Sequence, residues 1–227
     1  MTYADFENIM SAPRMNRYLR ACRGDRNKAL ELYRNNLELS QELFTIISCF
    51  EIALRNAIDK NYLTHLGNDW LRNAATSGGV FDNRRCVGTK TAINDAVNFL
   101  GNDYTHDKLV AELGFGFWRY LFATHQYRIA GRTLLRIFPQ KPSSTPSVQY
   151  NHTYVFNHLA DINSIRNRIA HHEPICFLPS QAVKDSTYAR QRYSIIIQLF
   201  QWMNIDSADL LSGIDHIIQR CGEIDNL

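Results

Sequence analysis

Apolar side chains recur at helical spacing along most of the chain. Leu43, Phe50, Leu54 and Ile58 share one stripe with Ile47, and Leu159, Ile165 and Ile169 share another with Ile162. The first stripe predicts one long helix, or two collinear ones, from Asp25 to about Thr64, with Gly24-Asp25 as stop and new N-cap. The second predicts a helix from about Tyr154 to His172, ended by Glu173-Pro174. Shorter helices are expected over Tyr3–Met10, from Pro13 to about Arg23, and at roughly 90–100, 105–123, 126–138, 180–203 and 207–220. Residues 66–90 are rich in Gly, Asn, Ser and Arg with little periodicity, and read as a loop. The run PQKPSSTPS from Pro139 to Ser147 is the clearest linker. No alternating run is long enough for a sheet, so the predicted fold is all-α. A length of 227 residues fits a single domain over 1–227, with a possible linker at 139–149.

Each of the two main stripes carries one charge. Advancing about 100° per residue puts Arg166 about 40° from Ile162 and Glu51 about 40° from Ile47. A buried guanidinium without a partner costs several kcal/mol, so Arg166 should meet an acid or a phosphate. Two pairings are open: Glu51 with Arg166 across helices, or Glu51 with Arg55 four residues on. A plain internal salt bridge satisfies the same pattern.

Composition narrows the setting. Hydrophobic residues make up 45% of the chain and charged residues 21%, which excludes a disordered chain. Of the 25 basic residues 19 are Arg, mildly consistent with phosphate recognition, although codon usage explains it equally well. The five cysteines include no C-x-x-C pair, which fits buried thiols in a reducing cytoplasm. The stretch Leu43–Leu54 is broken by Glu51 and too short for a bilayer, so no membrane is expected.

Common catalytic signatures are missing. Gly88-Thr89-Lys90 lacks phosphate-loop spacing, Gly114-Phe115-Gly116 lacks a third glycine, and neither G-x-S-x-G nor H-E-x-x-H occurs. His171-His172-Glu173 is compact, but neighbouring helical positions point apart, so no metal is expected there. No cofactor is expected either.

What stands out is Arg166-Asn167-Arg168-Ile169-Ala170-His171, of the form R-N-x-x-x-H. Arg166 and His171 diverge by about 140° on an ideal helix, yet Arg is long and the last turn relaxes. Asn167 and His171 share a face, which allows an amide–imidazole hydrogen bond. The motif resembles the R-x(4–6)-H signature of HEPN domains. In order along the chain, ALELY at 29–33, EIALRNAI at 51–58, GFGFW at 114–118 and RNRIAHHEP at 166–174 resemble the Abi-like abortive-infection family.

The resemblance implies a HEPN-like helical bundle with additional N- and C-terminal helices, and metal-independent RNA cleavage through the 2′-OH. It casts His171 as proton shuttle, Arg166 as phosphate holder, Asn167 as orienting group and Glu51 as the group positioning Arg166. Which of His171 and His172 reacts stays open. It further implies a homodimer with paired sites, and restraint by an antitoxin, a regulatory noncoding RNA or a conformational lock. Arg128, Arg132 and Arg136 recur every four residues and would make one basic helix face for RNA, with Arg55 as a further contact; Gly131 interrupts that face. Arg14, Arg17, Arg20, Arg23 and Arg26 recur every three and spiral, so they form a patch only in part. Phe117 and Trp118 suit base stacking or, more simply, the core. A non-catalytic RNA- or partner-binding module and a purely structural helical protein are the rival readings.

Overall fold

Side-chain caps decide where the helices begin. In this computed structural model, which describes residues 2–227, the Thr2 hydroxyl accepts Asp5 N–H and Asp5 accepts Thr2 N–H, a capping box that opens α1 (Tyr3–Met10). Pro13 sits in the first turn of α2 (Ala12–Ala21). Asp25 Oδ1 accepts Asn27 and Lys28 N–H at 3.0 and 3.1 Å and starts the single 41-residue α3 (Arg26–Leu66). Then follow α4 (Trp70–Ala74), α5 (Val87–Leu100), α6 (His106–Glu112), α7 (Phe115–Tyr120) and α8 (Thr124–Ile129). Asn151 Oδ1 caps α9 (His152–Ala170) through Thr153 and Tyr154 N–H. The chain closes with α10 (Thr187–Trp202), α11 (Ser207–Leu210) and α12 (Ile217–Asn226). About 68% of the chain is helical, and an isolated bridge between Phe177 and Lys184 is the only β pairing among the described residues. None of these helices is long and apolar enough to cross a membrane.

Three expected helices are broken, each for a local reason. Residues 105–123 split into α6 and α7 because Leu113 and Gly114 are extended, and the Leu113 carbonyl accepts the Trp118 indole N–H at 2.7 Å. Residues 126–138 do not form one helix. Gly131 and Arg132 take φ of 87° and 59°, ending α8, and a 3₁₀ turn, Leu134–Ile137, follows. The 207–220 helix is interrupted around Gly213, at φ 76°, and its second half runs on to Asn226. Within the expected 66–90 loop lies the short α4.

The chain divides into two compact units. The first takes the chain up to Ser48, Ser164–Ile197 and Ser207–Leu227; the second takes Cys49–Asn163 and Gln198–Asp206. The Pro-rich segment 139–149 is irregular, but the chain on both sides of it belongs to the second unit.

In the first unit Tyr18 packs edge-on against Tyr33 and Phe177, both with centroids at 5.0 Å. Arg17 lies 4.5 Å over Phe177 and donates to the carbonyls of Leu178 and Gln181. Arg220 of α12 grips α3 through Glu38 at 2.8 Å and Glu42 at 3.1 Å. In the second unit Phe50 meets Phe200 at 5.3 Å and Tyr62 meets Trp70 at 4.5 Å. Asp59 Oδ1 there accepts both the Trp70 indole N–H and the His106 Nε2–H, each at 2.7 Å. The other ring nitrogen of His106 stands 3.6 Å from Asp69, which also accepts the Tyr104 hydroxyl. Trp118 is fully buried, so core packing accounts for it.

All five cysteines are unpaired, and four are buried. Burial raises the thiols of Cys22, Cys86 and Cys221, and pushes Cys176 up to about 12. Because the thiolate is the nucleophile, native protein treated with iodoacetamide at about pH 8 should label at Cys49 first and leave Cys176 unlabelled until denatured. Peptide mapping of the alkylated protein reads this out, and rapid native labelling of Cys176 would contradict its burial.

Candidate functional site

The C-terminal end of α9 stops on a left-handed residue. His172 N–H donates to Ile169 O at 2.9 Å and Glu173 N–H to Arg168 O at 2.8 Å, the two bonds of a Schellman stop. The left-handed position, usually glycine, is held by His172 at φ 57°. Several anchors hold this turn. Arg14 Nη1 of α2 donates to His172 O at 2.9 Å. Arg168 donates to Pro174 O at 2.6 Å, pairs with Glu173 at 3.2 Å and stacks 4.9 Å from the Tyr188 ring. Asn36 of α3, only 4% exposed, accepts Ile175 N–H at 2.9 Å. The backbone of the turn is therefore held from α2, α3 and α9.

Arg166 sits where the stripe predicts, between fully buried Ile162 and Ile165 and the half-buried Ile169. It is itself half-buried, and its Nε is buried with no hydrogen-bond partner. Within the first unit no carboxylate pairs with it; Nη1 reaches Asn167 Oδ1 at 3.5 Å. The Asn167 side chain thus turns to Arg166, and the bond between Asn167 and His171 is the backbone one, His171 N–H to Asn167 O at 2.9 Å, in place of the expected amide–imidazole contact. His171 and His172 are both exposed, and no protein group orients the His171 imidazole among the described residues. No set of three His, Cys, Asp or Glu residues there is arranged to hold a metal ion.

Beside the turn the first unit holds a cavity of about 690 Å³. Its walls include the exposed apolar side chains Ile9, Leu37 and Phe44, its interior reaches Tyr33 and Asn36, and its rim carries Arg14, His172 and Glu173.

The remaining expected site residues lie in the second unit. Glu51 is half-buried on α3. Arg55, one turn on, reaches Ala111 O at 3.5 Å, and its Nε is buried without a partner. Arg128, Arg132 and Arg136 are exposed but do not form one helix face, because the chain turns left-handed at Gly131 and Arg132 between them. Arg136 is tied to α3, donating to His65 Nε2 at 2.6 Å. In the first unit's N-terminal Arg series, Arg14 and Arg17 hold backbone carbonyls and Arg26 lies 5.5 Å from the Tyr3 ring, so three of the five have structural contacts.

Comparison with protein-family models, with curated proteins and with solved structures gives no match for this chain.

Sequence reasoning passed over Asn36, and read Arg14 only as one of five spiralling arginines without its tie to the turn. Asn36 left a readable trace: it stands four residues after Leu32 and three before Leu39, a polar residue inside the α3 stripe. Arg14 left none, because its partner is a backbone carbonyl 158 residues away.

The strained turn gives a stability test. An L-residue in the left-handed region costs roughly 1–2 kcal/mol, most for β-branched side chains. His172→Val should be about 1–2 kcal/mol less stable than His172→Gly in urea denaturation. Equal stabilities would mean that the turn relaxes in solution.

Proposed function

We propose that this chain is a metal-independent endoribonuclease of HEPN type, working in the reducing cytoplasm as part of an antiviral defence of abortive-infection or toxin–antitoxin kind. One observation carries the reading. Arg166 is a half-buried guanidinium with a buried, unpartnered Nε and no carboxylate partner in its unit, and it precedes the exposed His171 by five residues on a turn fixed from α2 and α3. A cation so placed calls for an anion, and the scissile phosphate of RNA supplies one.

In this reaction the 2′-oxygen attacks the adjacent phosphorus while a base takes the 2′-OH proton. The bond from phosphorus to the 5′-oxygen breaks, and that oxygen receives a proton. The products are a 2′,3′-cyclic phosphate and a 5′-hydroxyl end, with no water consumed. His171 moves protons as the general acid–base group. Arg166 holds the phosphate and offsets charge on the phosphorane. Asn167, facing the guanidinium at 3.5 Å, sets its orientation. In the second unit Arg55, Arg128 and Arg132 offer further cationic groups to RNA. His172 serves the turn through its backbone. The lack of any protein group orienting His171 favours a second reading, a module that holds RNA without cutting it.

We further propose that the enzyme acts as a homodimer with one Arg166/His171 set from each copy, restrained by an antitoxin or a regulatory noncoding RNA. Sedimentation at micromolar concentration should give a mass twice that of one chain; a monomer both alone and with bound RNA would exclude the paired site.

The chemistry separates the two readings. His171→Ala should lower cleavage by about 10²–10⁴-fold and leave RNA affinity nearly unchanged. Arg166→Ala should weaken both, and Arg166→Lys should restore little because the planar fork is lost. EDTA should have no effect, and a 2′-deoxy residue at the cut position should block the reaction. Cutting of that substrate, or inhibition by chelation, would reject the mechanism; tight binding with no cleavage by the wild type would favour the module.

A further inference from the structure

We propose that the cavity beside the α9 turn takes a nucleobase of the RNA chain next to the cut, which makes the enzyme selective for the base at that position; this rests on the ribonuclease reading above. The cavity has a volume of about 690 Å³, within the range of small-molecule sites. Its chemistry varies from mouth to floor as a nucleotide's does. At the mouth Arg14 spends one N–H on His172 O and pairs with no carboxylate, so its charge is available to a phosphate. The walls present Ile9, Leu37 and Phe44, apolar side chains left 63%, 48% and 37% exposed, which suit the faces of a heteroaromatic ring.

At the floor stands Asn36. Its Oδ1 accepts Ile175 N–H, which fixes the orientation of the amide and leaves Nδ2 as a donor. That nitrogen has no partner among the described residues and is not sealed from solvent, and the residue lines the cavity, so the donor is open to a ligand there. Every nucleobase carries a carbonyl oxygen or ring nitrogen on its edge that can accept it. Nearby, the Tyr33 hydroxyl is bonded only to the weak acceptor Met10 Sδ at 3.4 Å, so it too can turn to a better one.

The position of the cavity links it to the chemistry. His172 and Glu173 form its rim, and Ile169 and Ala170 line it from the last turn of α9. A base seated there places its own phosphate beside Arg14 and the turn that carries His171.

The test uses the intact protein and non-cleavable 2′-deoxy trinucleotides bearing each of the four bases, or an abasic site, at each position in turn. At one position at least one base should bind at least about ten-fold tighter than the abasic probe. Ser40→Trp, which fills the cavity from α3, should bring that base down to the abasic level. Asn36→Asp keeps the acceptor for Ile175 and replaces the donor, so it should change which base is preferred. In parallel, sequencing the ends cut from a randomised RNA pool should show the same preference in the wild type, flattened by Ser40→Trp. Cleavage without base preference overturns the base site and leaves the ribonuclease standing. Base-selective binding without cleavage by the wild type supports the base site and rejects the ribonuclease. Binding of all probes equally to the abasic one, with no cleavage, rejects both. A change of oligomeric state in Ser40→Trp with base preference intact assigns the cavity to a second copy and overturns the proposal.

Discussion

A helix as long as α3 must find cover for its apolar stripe on every turn. Leu32, Leu39, Leu43, Ile46, Ile47, Phe50, Leu54, Ile58 and Tyr62 are all buried, so the cover runs nearly the whole way. The polar residues on or beside the stripe are used as fasteners. In the first unit Asn36 takes Ile175 N–H, and Glu38 and Glu42 take Arg220. In the second unit Asp59 takes Trp70 and His106, and Asn61 donates to Thr133 Oγ1 at 2.9 Å. Within each unit, elements distant in sequence are registered against α3 by these few side chains, while apolar area supplies most of the driving force.

The two longest helices were legible because each carries an apolar stripe several turns long. Asp25 also marks the start of α3, whereas the Asn151 cap of α9 went unread and its start was put two residues late, near Tyr154. The short helices failed where one residue outweighs the periodicity. Arg132, an ordinary helix former, takes a left-handed φ beside Gly131, so the four-residue spacing of Arg128, Arg132 and Arg136 does not become a face. At the site, the place of Arg166 at the edge of the stripe followed from phase alone. The partners of the turn did not, because Arg14, Arg168 and Asn36 bind backbone groups, and backbone groups carry no sequence signal.

The turn after α9 combines rigid backbone with free side chains. Three side chains hold carbonyls and an N–H between His172 and Ile175, and the left-handed His172 is kept in place against its own preference. Among the described residues no group orients the His171 imidazole, and Arg166 keeps its buried Nε unbonded. Such a division keeps the positions of two polar groups while leaving their bonding capacity for something outside the chain.

Asp59 has a bearing on how this sequence can drift. One of its oxygens serves two ring N–H donors, on Trp70 and His106, which lie 11 and 47 residues away along the chain. An apolar replacement at 59 strands both donors at once, whereas a change at 70 or 106 frees only one acceptor site on a carboxylate that keeps its other bond. Substitutions are therefore tolerated in a set order: Trp70 and His106 must lose their donors before position 59 can become apolar. Three positions far apart in sequence thus vary as one ratchet, with the acid as the last to go.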